Sequence, residues 1–395
     1  MSSTRKIVAQ NFCIGCGLCE DIGKASGYKM ILNETGFYTP IYDAINKEVE
    51  STINEICPGI NVKAPKSNTI WGNVLSIYNA WAVDPIVRKK GSSGGVISAI
   101  CIYLLESKTI DGVLQVGKND NHYMYNSLHI SRTKDDVLKN ASSRYAPALV
   151  LHNISEILSE TNEKFVFVGK PCDITAIKNY LERYPQYKSK IYYYISIFCA
   201  GIPSYNATEI LLKNAEKETE PLCVKYRGDG WPGNFEAQYQ DGYIFRKSYN
   251  ESWGQVLGKN IHFRCKICPD GIGLFADIVA ADSWETKDGY PDFEEKEGKS
   301  FVISRNAQGE ELLKNAINSN YIKVEELNIN DIKYIQPYQY RKRYEVGFRI
   351  LGIQLCTFFS LRFLNFRLVN RMSQYNYLKG IKIVLGTIKR HIQKT

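Results

Sequence analysis

The chain has 395 residues, 44% of them hydrophobic and 23% charged, and a net charge of +9, which excludes a low-complexity or disordered protein and is long enough for two to three domains. No uninterrupted apolar run approaches the roughly 18 residues of a membrane span. The positive charge is confined: residues 341–395 hold 12 Lys/Arg against Glu345 alone, a net +11, so the remainder totals −2 and no nucleic-acid surface is expected on the folded body. Eleven cysteines accompany a start, Met1 to Asn11, without an apolar stretch. Metal ligation in a reducing, cytoplasmic setting is therefore expected rather than disulfides.

Residues 1–65 read as a ferredoxin-like module. Cys13, Cys16 and Cys19 form a C-x-x-C-x-x-C run, and Cys57-Pro58 follows much later. A cubane iron–sulfur cluster needs four thiolates, and such a run with a distant Cys-Pro supplies them. Two-cluster ferredoxins carry a further cysteine where this chain has Gly23, so one [4Fe-4S] cluster is expected here. Zinc is the alternative, although it prefers paired C-x-x-C knuckles.

Residues 66–335 alternate between strand and helix signals and predict an α/β (mixed α+β) body of two lobes. Buried strands are expected at 112–117, 164–168 and 191–198, with further strands at 224–226, 243–245, 278–280 and 301–303. Helical spacing appears at 96–105, 174–181 and 205–215. Gly91-Ser92-Ser93-Gly94-Gly95 leads into the first of these helices, where glycines and free amides can admit a phosphate or merely begin a helix. Cys172 and Cys199 each follow a predicted strand, and Cys265-Lys-Ile-Cys268 is a knuckle. Strand ends on one sheet edge can converge to make a four-thiol site. Buried packing explains Cys172 and Cys199 equally well, and it is the simplest reading of Cys101 and Cys356.

In order along the chain stand Ser92-Ser93-Gly94-Gly95, Ser143-Arg144-Tyr145-Ala146-Pro147, Gly169-Lys170-Pro171-Cys172-Asp173, Phe198-Cys199-Ala200-Gly201, Arg264-Cys265-Lys266-Ile267-Cys268, and Ala276-Asp277-Ile278 to Asp282-Ser283-Trp284. Through these motifs, from about Cys13 to Tyr321, the chain resembles the β-subunit family of coenzyme F420-reducing hydrogenases and dehydrogenases, which includes 7-hydroxymethyl chlorophyll a reductase. The resemblance implies FAD and a second [4Fe-4S] cluster on Cys172, Cys199, Cys265 and Cys268. Two departures stand out: Lys170 occupies a position where the family has a small residue, and the tail beyond about Tyr334 has no recognised counterpart. Carrying both cysteine sets looks more like the stand-alone reductases, and similar proteins occur beside bacterial surface-polysaccharide genes.

Two clusters and a flavin make a one-to-two-electron converter. The expected function is an oxidoreductase that takes electrons from reduced ferredoxin or a similar donor and reduces a small organic or lipid-linked substrate. An electron-transfer subunit reducing F420 or another soluble carrier is the second reading, and a zinc-stabilised binding protein the third. Ser92, Ser93, Gly94, Gly95, Arg144, Tyr145 and Lys170 are the expected flavin contacts. Lys170, Tyr145 and Asp282 are the expected catalytic residues; the alternatives are a solvated lysine at a strand end for Lys170, structural pairing for Tyr145 and structural capping for Asp282. Arg227-Gly-Asp-Gly-Trp231-Pro-Gly reads as a lid or a surface turn, and His262 as a proton donor or a packed histidine. The basic C-terminal extension, 336–395, is expected to be helical. Its apolar 350–361 stretch and the rings Phe363 and Phe366 among Arg362, Arg367 and Arg371 leave two readings open: helices packed on the body, or peripheral contact with the inner face of a membrane.

Overall fold

Runs of Val, Ile and Phe bounded by Gly or polar residues form strands covered on both faces, and five such runs lie at the centre of this protein. The structure is a computed structural model describing residues 2–67, 69–287, 289–357 and 361–393. Its eight-stranded sheet comprises β1 (Ser76–Ala82), β2 (Gly112–Lys118), β3 (Asn126–Ser131), β4 (Phe165–Gly169), β5 (Ile191–Ile197), β6 (Ile278–Asp282), β7 (Ser300–Ser304) and β8 (Ile322–Glu326). The spatial order is β8-β1-β7-β6-β5-β4-β2-β3. Strands β2, β4, β5 and β6 are mutually parallel, and antiparallel strands flank them on both sides.

Helices cover both faces. On β4, Val166 packs into one cluster with α1 (Val96–Glu106), while Phe165 and Phe167 pack into another with α2 (Pro171–Arg183). Cys101 lies fully buried inside α1 as a packing residue. A three-stranded antiparallel sheet of Cys223–Lys225, Phe235–Gln238 and Ile244–Lys247 packs with the helix Tyr205–Lys213 into a smaller core.

The N-terminal segment is fused to this body. Leu151 N donates to Cys16 O at 2.8 Å, Asn179 Nδ2 to Ile56 O at 3.0 Å, and Tyr205 N to Gly36 O at 3.1 Å. Gly17 has a φ of +95°, and a Cβ there would lie 2.7 Å from His152 N, so only glycine permits this approach.

The C-terminal segment folds back over both parts as α3 (Pro337–Thr357), a short helix Leu368–Ser373 and α4 (Tyr377–Ile392). Arg362–Leu364 pairs in parallel with Asn61–Lys63 of the N-terminal segment. Leu361, Phe363 and Phe366 are buried in the core that holds Ile53, Ile60 and Trp71, and Arg371 is buried too. The rings interleaved with arginine therefore face inward, and Phe358, Phe359 and Ser360 of the apolar stretch lie outside the described residues. Among the described residues no helix is long and apolar enough to cross a membrane.

Candidate functional site

Cys13 and Cys16 on the loop before the helix Leu18–Gly23, Cys19 in its first turn and Cys57 at the C-terminal cap of the helix Lys47–Ile56 lie close to one another. Lost hydration and the neighbouring Cys57 push the Cys13 thiol up to about 12, and the same two causes raise Cys16 and Cys19. Burial raises Cys57 as well, against the amides of Gly59 and Ile60 and the charge of Arg264. Gly15 N points at Cys13 Sγ at 3.4 Å, and the Leu18 amide faces Cys16. Buried thiols that repel one another while amides favour their anions suit a group that binds thiolates and spreads their charge.

The second set forms at the C-terminal edge of the parallel strands. Cys172 opens α2 just after β4, Cys199 follows β5, and Cys265 and Cys268 lie on a tight turn ahead of β6. Cys199 N donates to Gly271 O at 2.8 Å, which ties β5 to the knuckle. Burial and then Cys265 push Cys199 up to about 12; burial and then Asp173 raise Cys172; burial raises Cys265 against the Ile202 amide, which points at its sulfur at 3.4 Å. Cys268 Sγ lies 2.6 Å from Asp270 O.

One side chain joins the sets. Arg264, directly before Cys265, donates to Gly59 O at 2.7 Å and to Pro58 O at 2.9 Å, the turn that carries Cys57. Among the described residues no three His, Cys, Asp or Glu side chains gather as ligands of a single ion.

The cations around the second set are unequal. Lys170 donates to Asp173 Oδ2 at 2.5 Å, so its charge is paired, and it caps α2 beside Cys172 and Cys199. Lys342, on α3, is buried and forms no ion pair with a carboxylate among the described residues. Burial opposes its charge, but Tyr338, Cys268, Cys199 and Cys265 outweigh that and raise its pKa. Its neighbours on α3 grip the same turn: Gln339 Nε2 donates to Cys199 O at 2.9 Å, and Arg343 to Pro269 O at 2.6 Å. None of these three is marked in the sequence, where Lys342 and Arg343 read as part of a solvated basic run.

The glycine loop lies elsewhere, between β1 and β7. Ser93 Oγ donates to Lys299 O and Gly94 N to Ser300 Oγ, each at 2.9 Å, while Ser92 Oγ accepts from Ser143 N. Ser142 Oγ in turn donates to Arg227 O. Arg144 donates to Asn126 Oδ1 at 2.7 Å and Val224 O at 2.9 Å, and its Nη2 is a buried donor without a hydrogen-bond partner among the described residues. Tyr145 OH accepts from Arg227 at 3.4 Å, and its ring packs on Trp253.

Asp282 is bound more firmly than an acid–base role suggests. Arg227 grips it with two bonds of 2.9 and 2.6 Å, and Trp231 Nε1 donates to it at 2.8 Å. Arg227 and Trp231 are each 2% exposed, so their loop is an internal clamp and not a lid. His262 Nδ1 caps the turn at Arg264 N. Thus Ser92–Gly95, Arg144, Tyr145 and Asp282 share one neighbourhood, whereas Lys170 stands with the cysteines.

A family model described as the coenzyme F420 hydrogenase/dehydrogenase beta subunit N-terminus matches residues 77–155, and its C-terminal counterpart matches 162–330. Together they cover more than half the chain and leave 1–76 and 331–395 outside. An uncharacterized protein of Methanocaldococcus jannaschii is 28% identical over 280 residues, covering 69% of this chain and 71% of its own. The beta subunit of F420-dependent formate dehydrogenase 1 of Methanococcus maripaludis is 28% identical over 64% of this chain, which spans 62% of that subunit. The coenzyme F420 hydrogenase beta subunit of Methanococcus voltae is 26% identical, with 67% and 88% covered. A chain of the F420-reducing [NiFe] hydrogenase complex from Methanosarcina barkeri has a similar fold, with a TM-score of 0.56 at 19% identity over 75% of this chain and 98% of its own. This chain belongs to the coenzyme F420 hydrogenase/dehydrogenase beta-subunit family.

Proposed function

We propose that this chain is an iron–sulfur flavoprotein oxidoreductase. The observation that carries the reading is the pair of cysteine quartets, spanned by Arg264. In this reading Cys13, Cys16, Cys19 and Cys57 hold one [4Fe-4S] cluster, and Cys172, Cys199, Cys265 and Cys268 hold another. Ser92–Gly95, Arg144 and Tyr145 hold FAD, with the unpartnered Nη2 of Arg144 available to an anionic group. Such clusters pass single electrons, and a flavin joins them to two-electron chemistry.

The chain's own residues support this work in distinct ways. Amides of Gly15, Leu18, Gly59, Ile60 and Ile202 favour the thiolates, and Arg264 fixes the spacing between quartets. Arg227 holds Asp282 in a fixed orientation through two hydrogen bonds, which makes it a positioning group beside Tyr145. Reduced ferredoxin or a similar donor would meet the N-terminal quartet, in which Cys13, Cys19 and Cys57 are partly exposed. A small organic molecule, lipid-linked if the setting is surface-polysaccharide synthesis, would accept the electrons in the cytoplasm or at the inner face of its membrane.

Relatives named as F420-dependent enzymes favour a second acceptor, coenzyme F420 itself. Anaerobically purified protein should contain iron, sulfide and FAD. After chemical reduction it should either bleach added F420, which selects the carrier reading, or leave it unchanged, which selects the organic substrate. A colourless protein containing zinc would overturn both.

A further inference from the structure

Helix α4 is amphipathic in the opposite sense from an ordinary surface helix. Gly380, Thr387 and His391 are its buried residues, and they face inward. Gly380 packs so closely on Phe348 that a Cβ there would lie 2.3 Å from the ring, and Gly352 of α3 meets Val384 and Thr387. The opposite side is apolar: Leu378 is 71% exposed, Ile381 40% and Leu385 61%. At about 100° per residue these three fall within roughly 60° of one another, and Ile388 continues the row. A soluble helix normally points such a stripe at the core.

The charges around the row are of one sign. Lys379, Lys382, Lys389 and Arg390 are all exposed on α4, and no Asp or Glu occurs anywhere from 346 to 395. Exposed leucine and isoleucine beside lysine, with no acid to repel phosphate, is the pattern of a helix lying in the headgroup region of an anionic bilayer. A protein partner of matching shape would bury the row equally well, but nothing in its apolar part calls for the surrounding lysines. We propose that α4 is a peripheral membrane-binding surface for anionic lipid. The site differs from the one the arginine-rich 361–371 stretch suggests, because Leu361, Phe363 and Phe366 are buried.

The placement has a consequence for the fold. Helix α4 packs on α3, and α3 carries Lys342 and Gln339 to the second cysteine quartet. A membrane contact at α4 would therefore hold the redox body close to the bilayer, within reach of a lipid-linked acceptor. This last step rests on the proposed function, whereas the membrane contact itself does not.

The test is co-sedimentation of the full-length, cofactor-loaded protein with phosphatidylglycerol-containing vesicles and with pure phosphatidylcholine vesicles, at low and high salt. Binding is expected to the anionic vesicles, to weaken with salt, and to fall at least about tenfold in a Leu378→Ser/Leu385→Ser variant whose melting temperature and iron content match the parent. Lys382→Glu/Lys389→Glu should lose binding while keeping the apolar row. No binding to anionic vesicles, or binding unchanged by both variants, overturns the proposal. So does a concentration-dependent dimer that Leu378→Ser/Leu385→Ser dissociates, because a second copy would then cover the row. Loss of iron from the parent protein would defeat the cluster reading and leave the membrane result standing.

Discussion

At the scale of single residues, Lys342 is the most consequential side chain that sequence reasoning overlooks. A buried ammonium without a carboxylate is costly unless other negative charge compensates it. Here Cys268, Cys199 and Cys265 of the second set lie near it, and thiolates there would supply that charge. Reduction adds negative charge to a cluster, so a fixed cation beside it favours the reduced form. Lys342→Met should therefore make the potential of a cluster on these cysteines more negative, by about 59 mV for each tenfold change in the one-electron equilibrium. Lys342→Arg should keep most of it. An EPR-monitored redox titration reads this directly, and an unchanged midpoint with full iron content would show that the charge is spectator packing. The Arg227–Asp282 pair makes a separate prediction. Asp282→Asn leaves a 2%-exposed guanidinium short of its partner, and breaking a buried pair costs about 3–5 kcal/mol. Urea unfolding should show a loss of that order, whereas an Asp282 that served only as a catalytic acid would be lost with little effect on stability.

At the scale of elements, the turns that join the quartets are more informative than the strands. Arg264 spans from the knuckle to the Pro58-Gly59 turn and stacks over Phe363, so one side chain ties the N-terminal segment, the body and the C-terminal strand together. Arg264→Met strips two carbonyls of charged donors, each bond contributing about 1.5–3 kcal/mol. Limited proteolysis should then cut near residues 58–67 well before the parent is cut. The glycine loop teaches a different lesson. A Cβ on Gly94 would lie 2.6 Å from Ala80 O and 2.8 Å from Ser300 N. Gly94→Ala should destabilise the sheet whether or not flavin is bound, so flavin loss in that variant would say nothing about phosphate. Arg144→Gln, which removes the unpartnered Nη2, is the cleaner probe, and it should lower FAD content in a protein that keeps its iron.

At the scale of the whole molecule, the sequence exposes the sheet far better than the packing. The predicted strands at 112–117, 164–168, 191–198, 278–280 and 301–303 all lie in the central sheet, because unbroken apolar runs announce burial on both faces. Ser76–Ala82 and Ile322–Glu326 escape notice because they alternate polar and apolar residues at or near an edge. Cys172 and Cys199 do sit at one sheet edge with the knuckle, as strand-end placement suggests. What spacing cannot convey is contact between distant segments: α3 over the second quartet, Arg362–Leu364 beside Asn61–Lys63, and Arg227 around Asp282. Each depends on residues more than 50 positions apart, and a basic tail with scattered rings gives no sign of which rings turn inward.

The central claim is that eight cysteines make two separate iron sites. The most direct measurement is iron and FAD per chain in anaerobically purified Cys16→Ala and Cys268→Ala, compared with the parent. Each variant should lose about half of the iron and retain FAD, because on the two-site account the quartets, built from different segments, each hold their own cluster. If either substitution removed all of the iron from a folded chain, or if neither removed any, the two-site account would be wrong.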